Sequence, residues 1–421
     1  MSGISNITKS NYKIAIIGLG YVGLPLLNLS TKYFNVVGYD KNPYRIDSLK
    51  KLKDYNNQIG ISDLKKLNKK KIISSDINIL KGCNIYIVTV PTPVNIRNQP
   101  DLKLVKNAFN TILKFLKKDD LIILESTVYP GATVEISKKI IEKNTNFILN
   151  KNFYLGYSPE RINPGDKKNN IKNVTKVISA SNKKSLNIVK NFYSTFIKNL
   201  HVAESIEIAE SSKIIENIQR DVNIALINEL TFLFKKMNIP MKQILEASRT
   251  KWNFLDFRPG LVGGHCIGID PYYLAYQAKR IGAKSDLILA GRNINNLMIN
   301  KVSSDIIKSI KKTKLSINAK ILFLGLTFKE NCPDFRNSKN IILFQSLLKK
   351  YKHIHAHDPY LNNSLKIEYK ENILKKLTDL KQYDFIILAV KHNQYKTLYK
   401  KISDIPVYDM KYFFKNSSFY L

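Results

Sequence analysis

The sequence predicts an α/β protein in which two doubly wound, parallel-sheet domains are joined by a long central helix. Short apolar runs alternate with amphipathic stretches in the first part of the chain, and the same pattern restarts beyond residue 311. Between them, residues 204–237 contain neither proline nor glycine and repeat apolar side chains at helical spacing. With 421 residues, 44% of them hydrophobic, the chain is long enough for two or three cores.

The first α/β region is predicted to hold five parallel strands, each an apolar run that ends in polar or turn residues. The strands cover residues 13–17, 35–39, 84–90, 121–125 and 153–157, and a helix over 24–31 follows the first of them. The carboxyl ends of parallel strands meet at one edge of a sheet, and ligands bind there. Thr92, Thr127 and Glu160 follow three of these strands, so we expect them at the ligand-binding edge.

The central helix is long for a simple doubly wound domain, and it indicates a helical segment that packs against a second subunit. The second α/β region has four predicted strands, over residues 319–325, 353–357, 384–390 and 407–409. Its first strand is followed by Gly325 alone, so the pattern identifies no more than a smaller α/β domain. We therefore divide the chain into three domains, comprising residues 1–203, 204–305 and 306–421.

The net charge of +35 could indicate a nucleic-acid-binding protein, but the lysines are spread over the whole sequence instead of forming one stripe. They accompany an excess of Ile and Asn that is typical of compositional bias, and we predict no nucleic-acid partner. No apolar run approaches the roughly 18 residues of a membrane span, so no membrane association is expected. Residues 1–13 lack the apolar stretch of a signal peptide. Three distant cysteines without a CxxC motif favour the reducing cytoplasm over a disulfide framework.

Three histidines alternate along one predicted strand, so their side chains would share a face. His353, His355 and His357 could in this way suggest a metal site. Asp358 is adjacent, but no other histidine or carboxylate motif completes a ligand set. We therefore predict a polar strand face and no metal.

A glycine-rich turn, Gly18-Leu19-Gly20-Tyr21-Val22-Gly23, joins the first strand to the first helix. Such glycines permit a tight turn, close approach of the backbone to a pyrophosphate and tight helix packing, and the helix N-terminus favours the negative charge. Asp40 ends the next strand, where it can accept hydrogen bonds from ribose hydroxyls and would repel a 2′-phosphate. The pattern predicts a Rossmann-type site for NAD, formed by Gly18, Gly20, Tyr21, Val22, Gly23 and Asp40.

The candidate nucleophile is Cys266, which lies in the segment Gly263-Gly264-His265-Cys266-Ile267-Gly268-Ile269-Asp270-Pro271. Glycines allow such a loop to approach a substrate closely, and a thiolate attacks a carbonyl carbon where a hydroxyl would need activation. Cys83 and Cys332 have no adjacent base, so they are expected to be structural or incidental thiols.

Three further side chains are candidates for acid–base work. Lys213 and Asn217 lie four residues apart and share one face of the central helix. They could hold an alkoxide or oxyanion, although the same pair could equally belong to the solvated face of the helix. Glu160, beside Pro159 at a strand end, is a candidate general base.

Several motifs, in this order, closely resemble the UDP-glucose/GDP-mannose dehydrogenase family over essentially the full chain. They are Gly18-Leu19-Gly20-Tyr21-Val22-Gly23, Val90-Pro91-Thr92-Pro93, Ser126-Thr127-Val128, Ser158-Pro159-Glu160-Arg161-Ile162-Asn163-Pro164-Gly165, the Lys213/Asn217 pair, and Gly263-Gly264-His265-Cys266. The resemblance implies that a sugar C6 hydroxyl is oxidised to a carboxylate, with four electrons passing to two NAD molecules. It also implies a homodimer and a C-terminal domain that holds uridine diphosphate.

The resemblance further implies roles for individual residues. Lys213, Asn217 and a water near Thr127 and Asp270 would manage the proton and the oxyanion of the first oxidation. Cys266 would capture the aldehyde as a thiohemiacetal, and the second oxidation would give a thioester that water hydrolyses with help from Glu160 or Asp270. The cofactor would also meet Arg45, Thr92, Ser126, Thr127 and Arg336. The sugar nucleotide would meet Glu160, Arg161, Ile162, Asn163, Lys213, Asn217, Arg249, Arg258, Gly263, Phe328 and Lys329, with Arg249 or Arg258 acting across the dimer interface.

Residues 257–274 look like the corresponding segment of bacterial family members that oxidise UDP-N-acetylhexosamines, since His265 precedes the cysteine where the UDP-glucose enzymes carry Ser. Pro164 also stands where those enzymes carry an acidic residue. The implied substrate is UDP-N-acetylglucosamine, for the synthesis of surface-polysaccharide precursors, with UDP-glucose, UDP-N-acetylmannosamine and GDP-mannose as alternatives. A one-step hydroxyacid dehydrogenase of the 6-phosphogluconate type is another alternative, because it shares the NAD domain and the Lys/Asn helix but needs no nucleophilic cysteine.

Overall fold

The apolar runs of the sequence form two sheets in the computed structural model, which describes residues 12–161, 173–264, 266–361 and 370–421. The chain divides into two units. The first runs up to Glu216 and includes Tyr272–Lys284, and the second comprises Asn217–Pro271 and Ser285–Leu421. Each unit has its own sheet and apolar core, which confirms the predicted α/β class with two parallel-sheet regions.

The sheet of the first unit has eight strands in the order β3-β2-β1-β4-β5-β6-β7-β8. The strands are β1 Lys13–Ile17, β2 Asn35–Tyr39, β3 Ile73–Ser74, β4 Ile85–Val88, β5 Asp120–Leu124, β6 Phe153–Tyr157, β7 Lys176–Ala180 and β8 Leu200–Val202. All neighbours are parallel except the β6–β7 pair. The central strands β4 and β5 are buried along their whole length, and all their residues except Asp120 are apolar, because helices cover both faces of a doubly wound sheet.

The register of this sheet brings its carboxyl ends to one level. In β1, Ile17 pairs with Tyr39 on one side and with Val88 on the other. Leu124 pairs in turn with Val88 and with Tyr157. The residues that follow these strands therefore lie side by side at one edge, and the direction of strand order reverses between β1 and β4, where doubly wound sheets bind ligands.

Amphipathic helices accompany the strands of the first unit. They are α1 Gly23–Ser30, α2 Pro43–Lys50, α3 Ile61–Lys69, α4 Lys103–Leu113, α5 Ala132–Ser137, α6 Lys183–Ser194 and, later in the chain, α9 Asp270–Arg280. The long central helix predicted from residues 204–237 is confirmed as α7 Ile206–Lys236, and the division between the two units falls within it.

The second unit contains a six-stranded parallel sheet in the order β11-β10-β9-β12-β13-β14. Its strands are β9 Ile321–Leu324, β10 Ile354–His357, β11 Ile373–Leu374, β12 Phe385–Leu388, β13 Val407–Asp409 and β14 Phe419–Tyr420. Its helices are α8 Met241–Ser248, α10 Asp286–Lys312 and α11 Lys339–Leu348. The four strands predicted for this region are all present, with ends one or more residues shorter in three of them.

The predicted histidine strand is β10, and its histidines contact aromatic rings. His355 packs edge-on against Tyr383, and His357 hydrogen-bonds through Nδ1 to the Tyr395 hydroxyl at 3.1 Å. Burial lowers the pKa of both imidazoles. Among the residues that the structure describes, no group of three or more His, Cys, Asp or Glu side chains could hold a metal ion. Within the same ranges, no helix is long and apolar enough to cross a bilayer.

Candidate active site

The three glycines of the turn after β1 are required for three different steric reasons. Gly18 has φ of 96°, a left-handed conformation that other residues rarely adopt, and its amide donates to Tyr39 O at 2.8 Å. A Cβ on Gly23 would lie 1.9 Å from Gly18 O, so only glycine fits at the start of α1. A Cβ on Gly20 would meet no heavy atom of the described chain within 4 Å. The backbone at Gly20 is thus open to a ligand, which is the condition for binding the pyrophosphate of NAD.

Asp40 and Arg45, both expected at the cofactor, bind the backbone N–H and C=O of the same residue, Leu19. Asp40 Oδ2 accepts from the Leu19 amide at 2.8 Å, and Arg45 Nε donates to Leu19 O at 2.8 Å. The other Asp40 oxygen accepts from the Asn42 amide at 2.9 Å, and Asp54 pairs with the Arg45 guanidinium at 2.9 Å. The structure therefore brings Asp40, Arg45 and the glycine turn together at the strand-order reversal, where an adenosine ribose would be recognised.

Three more expected cofactor residues lie at the same edge. Ser126 follows β5 and donates to Val90 O at 2.6 Å, which ties the ends of β4 and β5 together. Thr127 comes next in the chain and is half-buried. The Tyr273 hydroxyl donates to Thr92 O at 2.9 Å, so α9 fixes the loop after β4.

A buried carboxylate from α7 holds the turn that follows Thr127. Glu210 accepts from the Gly131 amide at 2.6 Å, the Thr133 amide at 3.0 Å and the Thr133 hydroxyl at 2.6 Å. Burial raises the pKa of Glu210 to about 7, although these hydrogen bonds oppose the shift. Sequence reasoning missed Glu210, which stands three residues before Lys213 in an otherwise helical pattern.

Glu160 lies at the end of β6 next to a buried group of charged side chains. Lys176 of β7 lies 3.1 Å from Glu125 Oε2 and 3.9 Å from Glu160 Oε2. The Tyr193 hydroxyl donates to the other oxygen of Glu125. Sequence reasoning missed Glu125, Lys176 and Tyr193. The only sequence signal was a charged residue, Glu125, at the end of an apolar strand, and this signal alone does not predict a buried ion pair.

The remaining residues of the Glu160 motif are described only in part. Arg161 pairs with Glu216 of α7 at 2.6 Å and donates to Thr175 O at 2.9 Å, so its guanidinium is held within the first unit. Ile162 and Asn163, which the resemblance connects with the sugar nucleotide, lie outside the described residues, as does Pro164.

Lys213 and Asn217 both lie on α7, the central helix, and their surroundings differ. Lys213 is half-buried, whereas Asn217 is buried. Asn217 Nδ2 donates to Asp270 Oδ2, and Arg220 Nη1 donates to Asn217 Oδ1 at 3.2 Å. Asn217 is therefore fixed on both sides and presents a carboxylate–amide pair together with Asp270, at the first residue of α9.

The loop before α9 exposes one cysteine. Cys266 is exposed, whereas Cys83 and Cys332 are buried. Burial raises the pKa of Cys83 to about 11 and also raises that of Cys332, so neither is poised to form a thiolate. The Ile269 and Asp270 amides donate to Cys266 O at 3.0 and 2.9 Å, which closes the loop into a turn. His265 lies outside the described residues.

The glycines of this loop pack against the segment that follows β9. A Cβ on Gly264, where φ is 82°, would lie 3.0 Å from the Phe328 ring, and one on Gly263 would lie 2.9 Å from Asn337 O. Lys329 Nζ lies 5.8 Å from the centre of the Phe328 ring. The structure thus places Phe328 directly against Gly264.

A buried polar network that sequence reasoning missed supports the cysteine loop. Arg292 of α10 pairs with Asp221 of α7, and its guanidinium lies 3.7 Å from the Cβ position of Gly268. Asn295 donates to Asp221 Oδ1 at 2.8 Å and accepts from Asn228 at 2.8 Å. Asn228 also makes both backbone hydrogen bonds of Gly260, at 3.0 and 2.9 Å. No local sequence pattern indicates this network, because its members are up to 74 residues apart.

Three arginines expected at ligands are each held by an aspartate. Arg249 and Arg258 both pair with Asp256, at 3.3 and 2.8 Å, and hydrogen bonds from Arg258 hold the pKa of Asp256 below its ordinary value. Arg336 pairs with Asp334 at 2.6 Å. Each of these guanidinium groups is thus held in one orientation by its aspartate.

A glycine turn closed by a carboxylate at the edge of a parallel sheet, in one chain with an exposed cysteine loop, defines a dinucleotide-binding oxidoreductase. Models of the UDP-glucose/GDP-mannose dehydrogenase family match three successive parts of the chain: the NAD binding domain at residues 12–197, the central domain at 207–297 and the UDP binding domain at 322–416. The chain belongs to this family. It is an NAD-dependent nucleotide-sugar dehydrogenase, as its motifs predict.

Individual relatives agree with this assignment. A UDP-N-acetyl-D-glucosamine 6-dehydrogenase of Salmonella typhi is 44% identical over 92% of this chain and 91% of that protein. The protein of the same name in Pseudomonas aeruginosa is 42% identical over 95% of this chain and 96% of its own. Among solved structures, a UDP-N-acetylmannosamine dehydrogenase of Pyrococcus horikoshii matches with a TM-score of 0.82 and 27% identity, over 94% of both chains.

Proposed function

We propose that this chain is a UDP-N-acetylglucosamine 6-dehydrogenase that oxidises the C6 hydroxyl to a carboxylate. The observation that carries the proposal is the exposed Cys266 in its glycine loop, in a chain that also has a complete NAD turn. The substrate follows from the relatives. The two that are named for UDP-N-acetyl-D-glucosamine are 44% and 42% identical, whereas a relative named for the manno epimer is 33% identical.

The reaction converts one alcohol and one water into a carboxylate and removes two hydrides. The glycine turn at Gly18, Gly20 and Gly23 would hold NAD, which would supply the hydride acceptor for each oxidation. The Cys266 thiolate adds to the C6 aldehyde left by the first oxidation, so the aldehyde cannot escape, and the resulting thiohemiacetal loses the second hydride to give a thioester. Water then adds to the thioester carbonyl, the carbon–sulfur bond breaks, and the Cys266 thiolate is released.

The side chains around these steps handle protons and oxyanions. We assign Lys213 and Asn217 to the developing oxyanion, because an ammonium and an amide offer hydrogen-bond donors from one helix face. Asp270, which accepts from Asn217, and Thr127 are assigned to a water that takes up the hydroxyl proton. Glu160 is assigned as the base that removes a proton from the hydrolytic water.

We also propose that the protein is a homodimer formed through the central helix. Exposed apolar side chains recur along α7 at intervals of seven or eleven residues, which places them on one stripe. They are Ile208, Ile215, Leu226 and Leu233. A stripe of this kind is stabilised by the same face of a second copy. The domain division at residues 204–305 follows the same reasoning, with dimerisation and the cysteine loop in the central part.

The product, a nucleotide-activated uronic acid, suits the synthesis of a surface polysaccharide, and three reduced thiols suit a cytoplasmic enzyme. A panel of UDP-sugars assayed by NADH release tests the substrate, and UDP-N-acetylglucosamine should give the highest kcat/KM. Two NADH should form per sugar. One NADH per sugar would contradict the four-electron reaction and favour a one-step hydroxyacid-type dehydrogenase.

Replacement of the cysteine tests the nucleophile. Cys266→Ser should lower kcat by at least about 10²-fold, because a hydroxyl is a much weaker nucleophile at neutral pH, and an ester to the sugar should accumulate. Intact-protein mass spectrometry would detect that ester. Cys332→Ala is the matched control, since its thiol is buried and should not react. Wild-type turnover by Cys266→Ser would refute the assignment.

A further inference from the structure

One histidine of the second unit is fully buried at the carboxyl edge of its sheet. His392 is 0% exposed, and its ring packs against the rings of Tyr360 and Tyr395, whose centroids lie 5.1 and 5.5 Å away. Its Nε2 lies 3.2 Å from Oδ2 of Asp358, which is also buried. No step of the proposed reaction uses His392, and the hydrogen bonds of its two ring nitrogens show what it holds.

Both ring nitrogens bind the loop after β9, which comprises residues 326–331. Nδ1 accepts from the Asn331 amide at 3.0 Å, so the ring proton lies on Nε2. Nε2 therefore donates, and the Thr327 hydroxyl lies 3.0 Å from it. That hydroxyl donates in turn to Lys329 O at 3.0 Å. His392 thus holds the loop on both sides of Lys329.

Buried side chains around His392 hold the start of the same loop. Asp358 Oδ2 accepts from the Leu326 amide at 2.7 Å and from the Thr327 amide at 2.9 Å. Ser338 donates to Leu326 O at 2.6 Å, and the Asn340 side chain donates to Thr327 O at 2.7 Å. The backbone at the start of the loop is therefore fixed by hydrogen bonds in both directions.

The side chains in the middle of this loop are accessible, and one of them faces the cysteine loop. Phe328 and Lys329 are partly exposed, whereas Leu326 and Thr327 before them are buried. A Cβ on Gly264 of the cysteine loop would lie 3.0 Å from the Phe328 ring. A fixed backbone sets where Phe328 and Lys329 stand before a ligand arrives, and such preorganisation lowers the cost of binding.

We propose that His392 is a positioning residue for nucleotide binding, which holds loop 326–331 in the conformation that meets the nucleoside diphosphate half of the substrate. Phe328 and Lys329 would make the contacts. The inference rests on the proposed function, in which the substrate is a UDP-sugar. The match of residues 322–416 to a UDP binding domain supports it, because that range contains both the loop and His392. His392 would then affect the affinity for the diphosphate and not the oxidation at C6.

Calorimetric titration of the full-length protein with UDP alone tests the role of His392. His392→Phe keeps an aromatic ring between Tyr360 and Tyr395 but removes both hydrogen bonds to the loop. Its Kd for UDP should rise by about tenfold or more, because the loop must then be ordered when the nucleotide binds. The KM for the UDP-sugar should rise in parallel. In contrast, kcat at saturating substrate should stay within about twofold of the wild-type value, since the lost interaction acts equally on the ground state and the transition state.

His357→Phe is the matched control for a structural effect. His357 is another buried histidine of the same sheet, and its side chain bonds to Tyr395 instead of to loop 326–331. If His392 only maintains the fold, both variants lower the melting temperature and leave the Kd for UDP unchanged. An unchanged Kd in His392→Phe, or an equal rise of the Kd in both variants, would overturn the inference.

A second variant keeps the test independent of the folding of His392→Phe. Thr327→Val retains the shape of the side chain and removes only the hydroxyl that links His392 to Lys329 O. It should raise the Kd for UDP about threefold or more, and an unchanged Kd would count against the positioning role. The wild type separates the two proposals. If it does not bind UDP, the proposed function fails and the role of His392 with it. If it binds UDP and the variants bind equally well, only the role of His392 is refuted.

Discussion

The glycine turn provides a matched pair of substitutions that separate folding from cofactor binding. In Gly23→Ala, the new Cβ would lie 1.9 Å from Gly18 O and 2.4 Å from the Thr89 hydroxyl. Ordinary contact begins at 3.4 Å, so the backbone must give way by 3.4 − 1.9 = 1.5 Å. In Gly20→Ala, the Cβ meets no described atom within 4 Å. The first change therefore strains the fold itself, and the second fills only space that the pyrophosphate of NAD requires.

The expected magnitudes follow from these distances. Overpacking of this kind costs about 1–3 kcal/mol or more, which is a decrease of roughly 2–12 °C in the melting temperature of a unit of this size. Gly20→Ala should melt within about 1 °C of the wild type when NAD is absent. NAD at 100 times its Kd stabilises the wild type by about 2.7 kcal/mol, or roughly 5–11 °C. Gly20→Ala should lose most of that increase.

Thermal unfolding with and without NAD is the measurement. We expect Gly23→Ala to melt early in both conditions and Gly20→Ala to differ from the wild type only when NAD is present. If Gly20→Ala melts early without NAD, or keeps the full NAD-induced increase, the assignment of the open backbone to the pyrophosphate is wrong.

Three further predictions concern the carboxylates of the two units. Asp40→Ala removes the acceptor for the Leu19 amide and the charge that opposes a 2′-phosphate. The preference for NAD over NADP in kcat/KM should therefore fall by about tenfold or more. An unchanged ratio of the two kcat/KM values would exclude the ribose contact. Burial raises the pKa of Glu210 from an ordinary 4.5 to about 7, so Glu210 contributes stability below pH 4.5 that is lost as the pH rises to 7. The pKa difference, 7 − 4.5 = 2.5, corresponds to about 3 kcal/mol of unfolding free energy. Glu210→Gln should therefore flatten the fall in melting temperature between pH 5 and 8. If the wild type and the variant give the same dependence of melting temperature on pH, Glu210 stays ionised in the folded protein. Asp221→Asn leaves the Arg292 guanidinium buried without its counter-ion and should cost about 3–5 kcal/mol of unfolding free energy. Adding Arg292→Met to the same chain should recover part of that loss. If it recovers nothing, the two sites are independent.

The strands and the long helix were predictable because their signals are local. Apolar runs of four residues, such as those in β4 and β5, are buried throughout, and the periodicity over residues 204–237 matches α7 within two residues at the start. Strand ends were less accurate. The predicted strand at 84–90 stops at Val88, and the next residue, Thr89, donates through its hydroxyl to Gly18 O at 2.7 Å. Alternation of apolar residues cannot report such a contact.

In the candidate site, too, local signals were predictable and long-range pairs were not. The glycine turn and the Asn217/Asp270 pair could be predicted because their residues belong to a sequence motif or share one face of a predicted helix. The pairs Lys176–Glu125 and Arg292–Asp221 join residues 51 and 71 positions apart, and neither member lies in a recognisable pattern. Such pairs become visible only when the sheet register and the helix packing are known, since burial turns an ordinary charged residue into one that must find a partner.

The second sheet contains a glycine turn closed by an aspartate, like the turn of the first sheet, but its aspartate has a different role. Gly325 follows β9 with φ of 100°, and Asp358 at the end of β10 accepts from the Leu326 amide at 2.7 Å, just as Asp40 accepts from Leu19 after Gly18. Asp358, however, is 1% exposed and also contacts His392 Nε2 at 3.2 Å. Burial acts to raise the pKa of Asp358, but hydrogen bonds from His392 and the backbone hold it below its ordinary value, so the carboxylate is ionised. Asp358 therefore closes the turn, and its burial keeps it from reaching a ribose, whereas Asp40 is half-buried. We expect nucleotide recognition in this unit to come instead from the loop after Gly325, where Phe328 and Lys329 lie.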